Sequence, residues 1–168
     1  MNVYDYDRAA AVAYARKWAL GRNPKFYDFN DIGGDCTNFA SQCIFAGSGV
    51  MNYIPLYGWF YRSASDRTPS WTGVEFLHNF LVANDGLGPF AEVTSLENAA
   101  LGDVVQLGDA NGDFYHSPVI VDILPRTNGR LTADDILIAA HTYDALDRPL
   151  SSYNAAQYRV LHITGYRK

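Results

Sequence analysis

The spacing of apolar residues changes halfway along this chain, and that change constrains the fold more than any other feature. In the first half, residues 6–19 form an alanine-rich helical segment with Asp5 or Asp7 as its N-cap. Gly21 and Pro24 follow this segment and end the helix. The second half carries short β-branched runs between turn residues, which is typical of strands. Helices followed by an antiparallel sheet predict an α+β fold.

Two further helices and four strands are predicted after the first helix. One helix begins at Cys36 and runs through CTNFASQCIFAG to Gly47. The next covers residues 70–84, with Ser70 as its cap and Gly86 after its end. The predicted strands cover residues 102–107, 115–124, 135–144 and 158–168.

Size and composition predict one folded domain over residues 1–168. The chain has 168 residues, of which 48% are apolar and 14% are aromatic, enough for a real core. A net charge of −5, without a run of four Lys or Arg, argues against a nucleic-acid surface. No apolar run approaches the ~20 residues of a membrane helix, and no secretory signal pattern is present. We expect a monomer without a transmembrane segment, which is extracellular or at the cell surface if cut from a longer secreted protein, and cytoplasmic otherwise.

Cys36 and Cys43 are the two cysteines, and their spacing argues against a disulfide. On one helix, at a rise of ~1.5 Å per residue, their Cα atoms lie roughly 10 Å apart. A disulfide needs less than ~7 Å. Cys43 lies mid-helix among apolar residues and is interpreted as structural.

Cys36 lies where a flexible loop, Gly33-Gly34-Asp35, turns into a helix. The first N–H groups of a helix are unpaired and the helix dipole is positive there, so a thiolate is stabilised. The same N–H groups can hold an oxyanion. This position predicts a nucleophile, while the alternative is a buried structural cysteine after a diglycine turn.

Two histidines, His116 and His141, lie in β-type runs on either side of Asn128-Gly129. In an unbulged two-residue hairpin around that turn they lie directly opposite, with Cα atoms about 4.5–5.5 Å apart. Two unrelated strand histidines are the alternative. His78 and His162 are interpreted as surface or structural residues.

These residues predict a cysteine hydrolase mechanism. His116 takes the Cys36 proton, the thiolate attacks an amide carbonyl, and His141 holds the His116 ring. A second oxyanion donor comes from the loop before the nucleophile, with Tyr27 preferred over Asn30.

Two more residues complete the predicted oxyanion and substrate set. Asp35 adjoins the nucleophile. Trp71 belongs to an aromatic cluster that lines a substrate groove or, alternatively, packs in the core; its other members are Tyr57, Trp59, Phe60 and Tyr61.

No metal or other cofactor is expected. The segment Asp109–Asp113 resembles the start of a calcium loop, but Phe114 and Ile120 replace the glycine and the glutamate that such a loop needs. A hairpin turn explains it better. The cysteines and histidines match no zinc-finger spacing.

The strings GGDCTNFASQC, GDVVQL, HSPVIV and AAHTYD, the last followed by RPL, occur in this order over almost the whole chain. In them the chain resembles the bacterial putative amidase domain family. That family is similar to the papain-like superfamily of cell-wall peptidases and cysteine/histidine-dependent amidohydrolases. The resemblance implies a papain-like α+β fold, with the nucleophile helix on an antiparallel sheet. It also implies the order Cys36, His116 and a third polar residue, for which Asp144 and Asn154 rival His141.

The predicted function is therefore a cysteine-dependent amidase or peptidase, with bacterial cell-wall peptide as its expected substrate. Acyl transfer to another nucleophile would use the same residues. The alternative is a non-catalytic module of the same fold that binds peptide or cell wall.

Overall fold

The computed structural model of the chain describes residues 1–126 and 129–168. The helices in this part are α1 (Arg8–Trp18), α2 (Cys36–Ser48), α3 (Pro69–Thr72) and α4 (Val74–Ala83). The strands are β1 (Val3–Tyr4), β2 (Tyr61–Ser63), β3 (Asp66–Arg67), β4 (Gly88–Thr94), β5 (Val104–Gly108), β6 (Phe114–His116), β7 (Val119–Ile123), β8 (Ile136–Ala140), β9 (Ala145–Pro149) and β10 (Gln157–Arg167).

The first two helices begin where the sequence predicts. Asp7 caps α1, and its side chain accepts a hydrogen bond from the N–H of Ala10 at 2.9 Å. Helix α2 begins at Cys36 but passes the predicted stop at Gly47. It ends at Gly49, whose φ of +66° supplies the left-handed conformation that closes a helix.

The predicted helix over residues 70–84 is two helices. Gly73 has extended backbone angles, φ −115° and ψ 130°, and separates the single turn of α3 from α4. Pro69 occupies the first turn of α3, where its missing N–H costs no helical hydrogen bond. Helix α4 ends at Ala83, before the predicted limit at Gly86.

An antiparallel sheet, curled around the core, carries the second half of the chain. Its strand order is β1-β10-β5-β7-β8-β9, with β4 also paired to β10 and β6 paired to β5. Each of the four predicted strand runs contains strand residues, but the run 135–144 ends early, at Ala140, so His141 lies beyond β8. The sequence did not predict β4 and β9, because β4 begins with Gly88-Pro89 and β9 contains charged residues and ends in a proline.

The hairpin register that would place His116 opposite His141 is wrong. The predicted strand 115–124 breaks at Ser117-Pro118, because proline cannot donate to a strand ladder. As a result His116 lies on β6 and faces Leu107 of β5. Strands β7 and β8 do form a hairpin, but Val119 pairs with Ala139 and a bulge follows. The Asn128 half of the predicted turn lies outside the described residues.

The middle of the sheet is buried on both faces. Neighbouring residues of β5 alternate, so that Val104 packs with the helices and Val105 packs on the opposite face. The helix side holds the larger aromatic residues, among them Phe39, Trp59 and Trp71. Cys36 and Cys43 are both buried free thiols, which agrees with the predicted absence of a disulfide between them. No helix in the described ranges is long and apolar enough to cross a membrane.

Candidate active site

Cys36 is the first residue of α2 and only 9% exposed. The loop before it turns through Gly33 and Gly34, whose φ angles of +83° and +100° lie in the left-handed region that favours glycine. Asp35 occupies the N-cap position, but its side chain does not cap the helix. The first-turn N–H groups of α2 are therefore not neutralised by that carboxylate.

Burial controls the ionisation of Cys36. It raises the pKa of the thiol above its ordinary value, and the nearby charge of Asp35 acts in the same direction. Hydrogen bonds from Thr37 and from the backbone of Ser117 lower the pKa without reversing this shift. The sequence predicted a stabilised thiolate at the helix start. In the structure, desolvation affects the pKa more than the hydrogen bonds do, and the neutral thiol is favoured.

His116 ends β6, next in sequence to the Ser117 backbone that bonds Cys36. Its ring is mostly buried, and burial together with the positive charge of Arg148 lowers its pKa to about 4. The ring is therefore neutral at pH 7 and able to accept a proton. Within the described part of the chain, no hydrogen bond joins Cys36 to His116 and none orients the His116 ring.

Tyr153 and Arg148 lie against His116, and the sequence analysis missed both. The Tyr153 ring centroid is 5.4 Å from that of His116, and the Arg148 guanidinium lies 3.6 Å above the Tyr153 ring. Burial and the proximity of Cys36 raise the pKa of Tyr153, while Arg148 lowers it. The RPL string, which begins at Arg148, was the available signal, but it gave no indication that the segment folds back onto the site.

His141 is bound to Asp35 rather than to His116. Its Nδ1 lies 2.5 Å from Oδ2 of Asp35, and its Nε2 lies 2.8 Å from the carbonyl oxygen of Trp18. Both ring nitrogens of His141 therefore face oxygen acceptors, and His141 and Asp35 form a buried pair. Its ring also stacks on Phe39, with centroids 4.1 Å apart. The predicted orienting contact from His141 to His116 is therefore not present.

Asp35 is held from several sides. Its Oδ1 accepts hydrogen bonds from the N–H of Phe29 at 2.9 Å and from the side-chain amide of Asn38 at 2.8 Å. Its own N–H donates to Oγ1 of Thr142 at 2.8 Å. Asp35 thus connects the loop before α2 with the segment after β8, and its predicted contact with substrate stays a prediction.

Neither rival for the third position contacts His116 by a hydrogen bond. Asp144 is exposed and forms an ion pair with Arg22, at 2.8 Å from Nη1. Asn154 is exposed and takes a left-handed conformation, φ +51°, where it closes the turn after Tyr153.

The predicted oxyanion and groove residues fall in different environments. Tyr27 is half-exposed, and its backbone carbonyl accepts from the Asn38 amide at 2.9 Å. Asn30 is exposed, and its N–H donates to Asp28. Trp71 is fully buried and donates to Oδ1 of Asn38 at 2.9 Å. Trp71 is a core residue in this structure, which agrees with the core-packing alternative for the aromatic cluster.

A buried polar chain supports the segment beside Cys36. Thr37 Oγ1 donates to Ser117 Oγ at 3.3 Å, and Gln106 Nε2 donates to the same oxygen at 3.1 Å. Arg159 in turn donates to Oε1 of Gln106 at 2.8 Å. These bonds hold Ser117, and through it the position of His116, against the start of α2.

Among the described residues, no group of three His, Cys, Asp or Glu side chains could hold a metal ion. The segment Asp109–Asp113 forms the connection between β5 and β6. In it Asp109 Oδ1 accepts from the N–H groups of Asn111 and Asp113, as in an Asx turn.

The fold and this cluster define a mixed α/β protein with a buried cysteine at a helix start and a neutral histidine on the adjoining sheet. The chain belongs to the putative amidase domain family, whose model matches residues 5–164. This membership suggests a hydrolase that acts on amide bonds.

Two relatives are proteins of Bacillus subtilis (strain 168) that are described as uncharacterized. YhbB is 33% identical over 161 residues, which cover 94% of this chain and 48% of YhbB. YjcM is 25% identical over 156 residues, which cover 88% of this chain and 34% of YjcM. The chain thus spans about half the length of the first relative and a third of the second. No solved structure matches the chain significantly.

Proposed function

We propose that this protein is a cysteine-dependent amide hydrolase in which Cys36 is the nucleophile and His116 is the general base. Family membership supplies the expectation of amide chemistry. The observation that carries the proposal is the buried hydrogen bond from Oγ1 of Thr37, the residue after Cys36, to Oγ of Ser117, the residue after His116, at 3.3 Å. A helix that begins with the nucleophile and packs on an antiparallel sheet also supports a papain-like architecture.

In the proposed mechanism, neutral His116 takes the proton from Cys36 as the sulfur attacks the amide carbonyl. The first-turn N–H groups of α2 stabilise the oxyanion that develops, because Asp35 turns its carboxylate away from them. The imidazolium of His116 then protonates the leaving amine. Water attacks the thioester, His116 accepts a proton from that water, and the thiol is regenerated with release of a carboxylic acid.

His141 enters this proposal as a positioning residue. It binds Asp35, the residue before the nucleophile, and so holds the start of α2. A ring that is occupied at both nitrogens would not exchange protons with His116. The His116 tautomer would instead be set when substrate or water binds beside the ring.

The proposed substrates are peptide amides, and bacterial cell-wall peptide is the first class to test, because the resemblance extends to cell-wall peptidases. The experiment is digestion of purified peptidoglycan, with new amino groups and released peptides measured by chromatography and mass spectrometry. Cys36→Ser and His116→Ala should each abolish release. His78→Ala changes a histidine outside the cluster and should leave it intact.

A non-catalytic binding module is the second candidate. The raised pKa of Cys36 and the lack of a hydrogen bond between Cys36 and His116 favour it. Sedimentation with insoluble peptidoglycan separates the two functions. A binding module should sediment equally as wild type and as Cys36→Ser, and wild type should release no peptide. That result would overturn the hydrolase proposal.

A further inference from the structure

Arg148 brings a positive charge to the cluster that the described residues do not neutralise. It lies on β9, is half-buried, and donates from Nε to Ser152 Oγ at 2.7 Å and from Nη2 to the Ser152 carbonyl at 3.4 Å. Among the described residues, no carboxylate lies within ion-pair distance of it. Arg22 and Arg159, by contrast, each bind a carboxylate directly.

The charge is fixed in place next to the reacting groups. The guanidinium lies 3.6 Å above the Tyr153 ring, and that ring contacts the His116 ring at 5.4 Å. Stacking on the Tyr153 ring and two hydrogen bonds to Ser152 hold the guanidinium in place. Its remaining edge is therefore already oriented to bind a ligand. The lowered pKa of His116 agrees with this proximity, since Arg148 contributes to it.

Tyr153 adds a second unused donor. Its hydroxyl oxygen is buried near the Arg148 guanidinium, which lowers the pKa of the phenol, and the hydroxyl proton has no acceptor among the described residues. A buried polar atom without a partner costs free energy, so such atoms in native proteins often mark a place for a ligand or a water molecule. An arginine fork and a phenol that are close together match the two oxygens of a carboxylate.

We propose that Arg148 and Tyr153 form a carboxylate-binding subsite beside Cys36 and His116, so that the preferred substrates are amides with a free carboxylate near the scissile bond. This inference rests on the proposed function for the identity of the reacting thiol. It names the substrate class that the amide hydrolase selects, and it assigns Arg148 as a specificity-determining residue.

The test uses two alkylating reagents of nearly equal size, iodoacetate and iodoacetamide, on the full chain. In both reactions the Cys36 sulfur displaces iodide from the CH2 carbon, forms a thioether and gives up its proton to His116 or to water. Only iodoacetate carries a carboxylate. The quantity measured is the ratio of the two rate constants at Cys36, obtained by peptide mass spectrometry. Because both reagents report the same thiol, changes in its pKa cancel in the ratio.

Arg148→Gln should lower the ratio of iodoacetate to iodoacetamide rates by about fivefold, the size expected for one charge interaction at contact distance in bulk water. Arg148→Lys should lower it less, because it keeps the charge and loses the planar fork. Arg62→Gln is the matched control: it removes the same charge from an exposed pair with Asp66 and should leave the ratio unchanged. A fall of less than threefold in Arg148→Gln overturns the subsite.

Wild-type protein supplies a measurement that does not depend on a folded variant. Its ratio at Cys36 should exceed that of N-acetylcysteine severalfold, although the chain as a whole is negatively charged. An equal or smaller ratio overturns the subsite. The iodoacetamide rate alone tests the proposed function, because it should fall in His116→Ala. If the iodoacetamide rate falls in His116→Ala but the ratio is unchanged in Arg148→Gln, the hydrolase proposal stands and the subsite proposal fails.

Discussion

The carboxylate of Asp35 lies 2.5 Å from Nδ1 of His141, a residue 106 positions further along the chain. Both side chains are almost completely buried. Through this contact the segment after β8 holds the residue that directly precedes the proposed nucleophile. The position of Cys36 therefore depends on a tertiary ion pair as well as on the helix that begins there.

Removal of the Asp35 charge should destabilise the fold strongly. Asp35→Asn keeps the shape of the side chain but takes the carboxylate out of its buried contact with His141, and breaking a buried pair costs about 3–5 kcal/mol in the free energy of unfolding. Asp66→Asn, in an exposed pair with Arg62, should cost less than about 1 kcal/mol. Urea denaturation measures both variants, and equal losses would contradict the role of the buried pair.

The stability of the protein should fall in mild acid because of His116. Its folded pKa of about 4 lies below the ordinary value of 6.5, so the unfolded chain binds a proton more readily between these values. Stability is therefore lost as pH falls from about 6.5, with a contribution of about 3 kcal/mol by pH 4. His116→Gln should remove this contribution. Urea denaturation of both proteins from pH 4 to pH 8 measures the difference, and parallel curves would refute it.

The pKa of the Cys36 thiol should be higher than that of an ordinary cysteine. The alkaline limb of its alkylation rate by iodoacetamide should have a midpoint above 9.0, since burial outweighs the hydrogen bonds that stabilise the thiolate. Thr37→Val removes one of these bonds and should move the midpoint further up. Thr164→Val, on the exposed face of β10, serves as the control and should not move it. A midpoint below 8.5 would contradict the burial argument.

Loss of the Tyr153 hydroxyl should not weaken the fold. Tyr153→Phe removes a buried hydroxyl whose proton has no acceptor among the described residues, so the free energy of unfolding should stay equal or rise by about 1 kcal/mol. Tyr14→Phe is the matched comparison, because the Tyr14 hydroxyl bonds Gln42 at 2.5 Å, and it should lose about 1–2 kcal/mol. Thermal unfolding gives both values. A larger loss in Tyr153→Phe than in Tyr14→Phe would show a hidden partner.

Local patterns predicted the elements that carry the proposed chemistry. The Asp7 cap, the start of α2 at Cys36 and the β-branched runs all depend on neighbours within a few residues, and such preferences can be recognised in a sequence. The same reasoning placed His116 on a strand. The presence of these elements was therefore predictable from local physics.

Contacts between distant residues were not predictable. The register that paired His116 with His141 assumed an unbroken strand, whereas Pro118 interrupts it and a bulge shifts β7 against β8. Asp35, the actual partner of His141, reaches it through the packing of α2 on the sheet. The spacing of residues in the sequence does not predict that contact. Arg148 and Tyr153 join the cluster only because the chain turns back after β9, in a segment without a strand or helix pattern.

The break at Ser117-Pro118 makes sheet continuity and formation of the site compete for the same backbone group. Ser117 lies outside both β6 and β7, and its backbone N–H is close enough to Cys36 to lower the pKa of the thiol. A substitution that joins β6 and β7 into one continuous strand would engage the Ser117 N–H in the sheet. That N–H would then be lost to Cys36, even with Cys36 and His116 unchanged. In this protein an interruption of regular structure is what leaves a main-chain group available for chemistry.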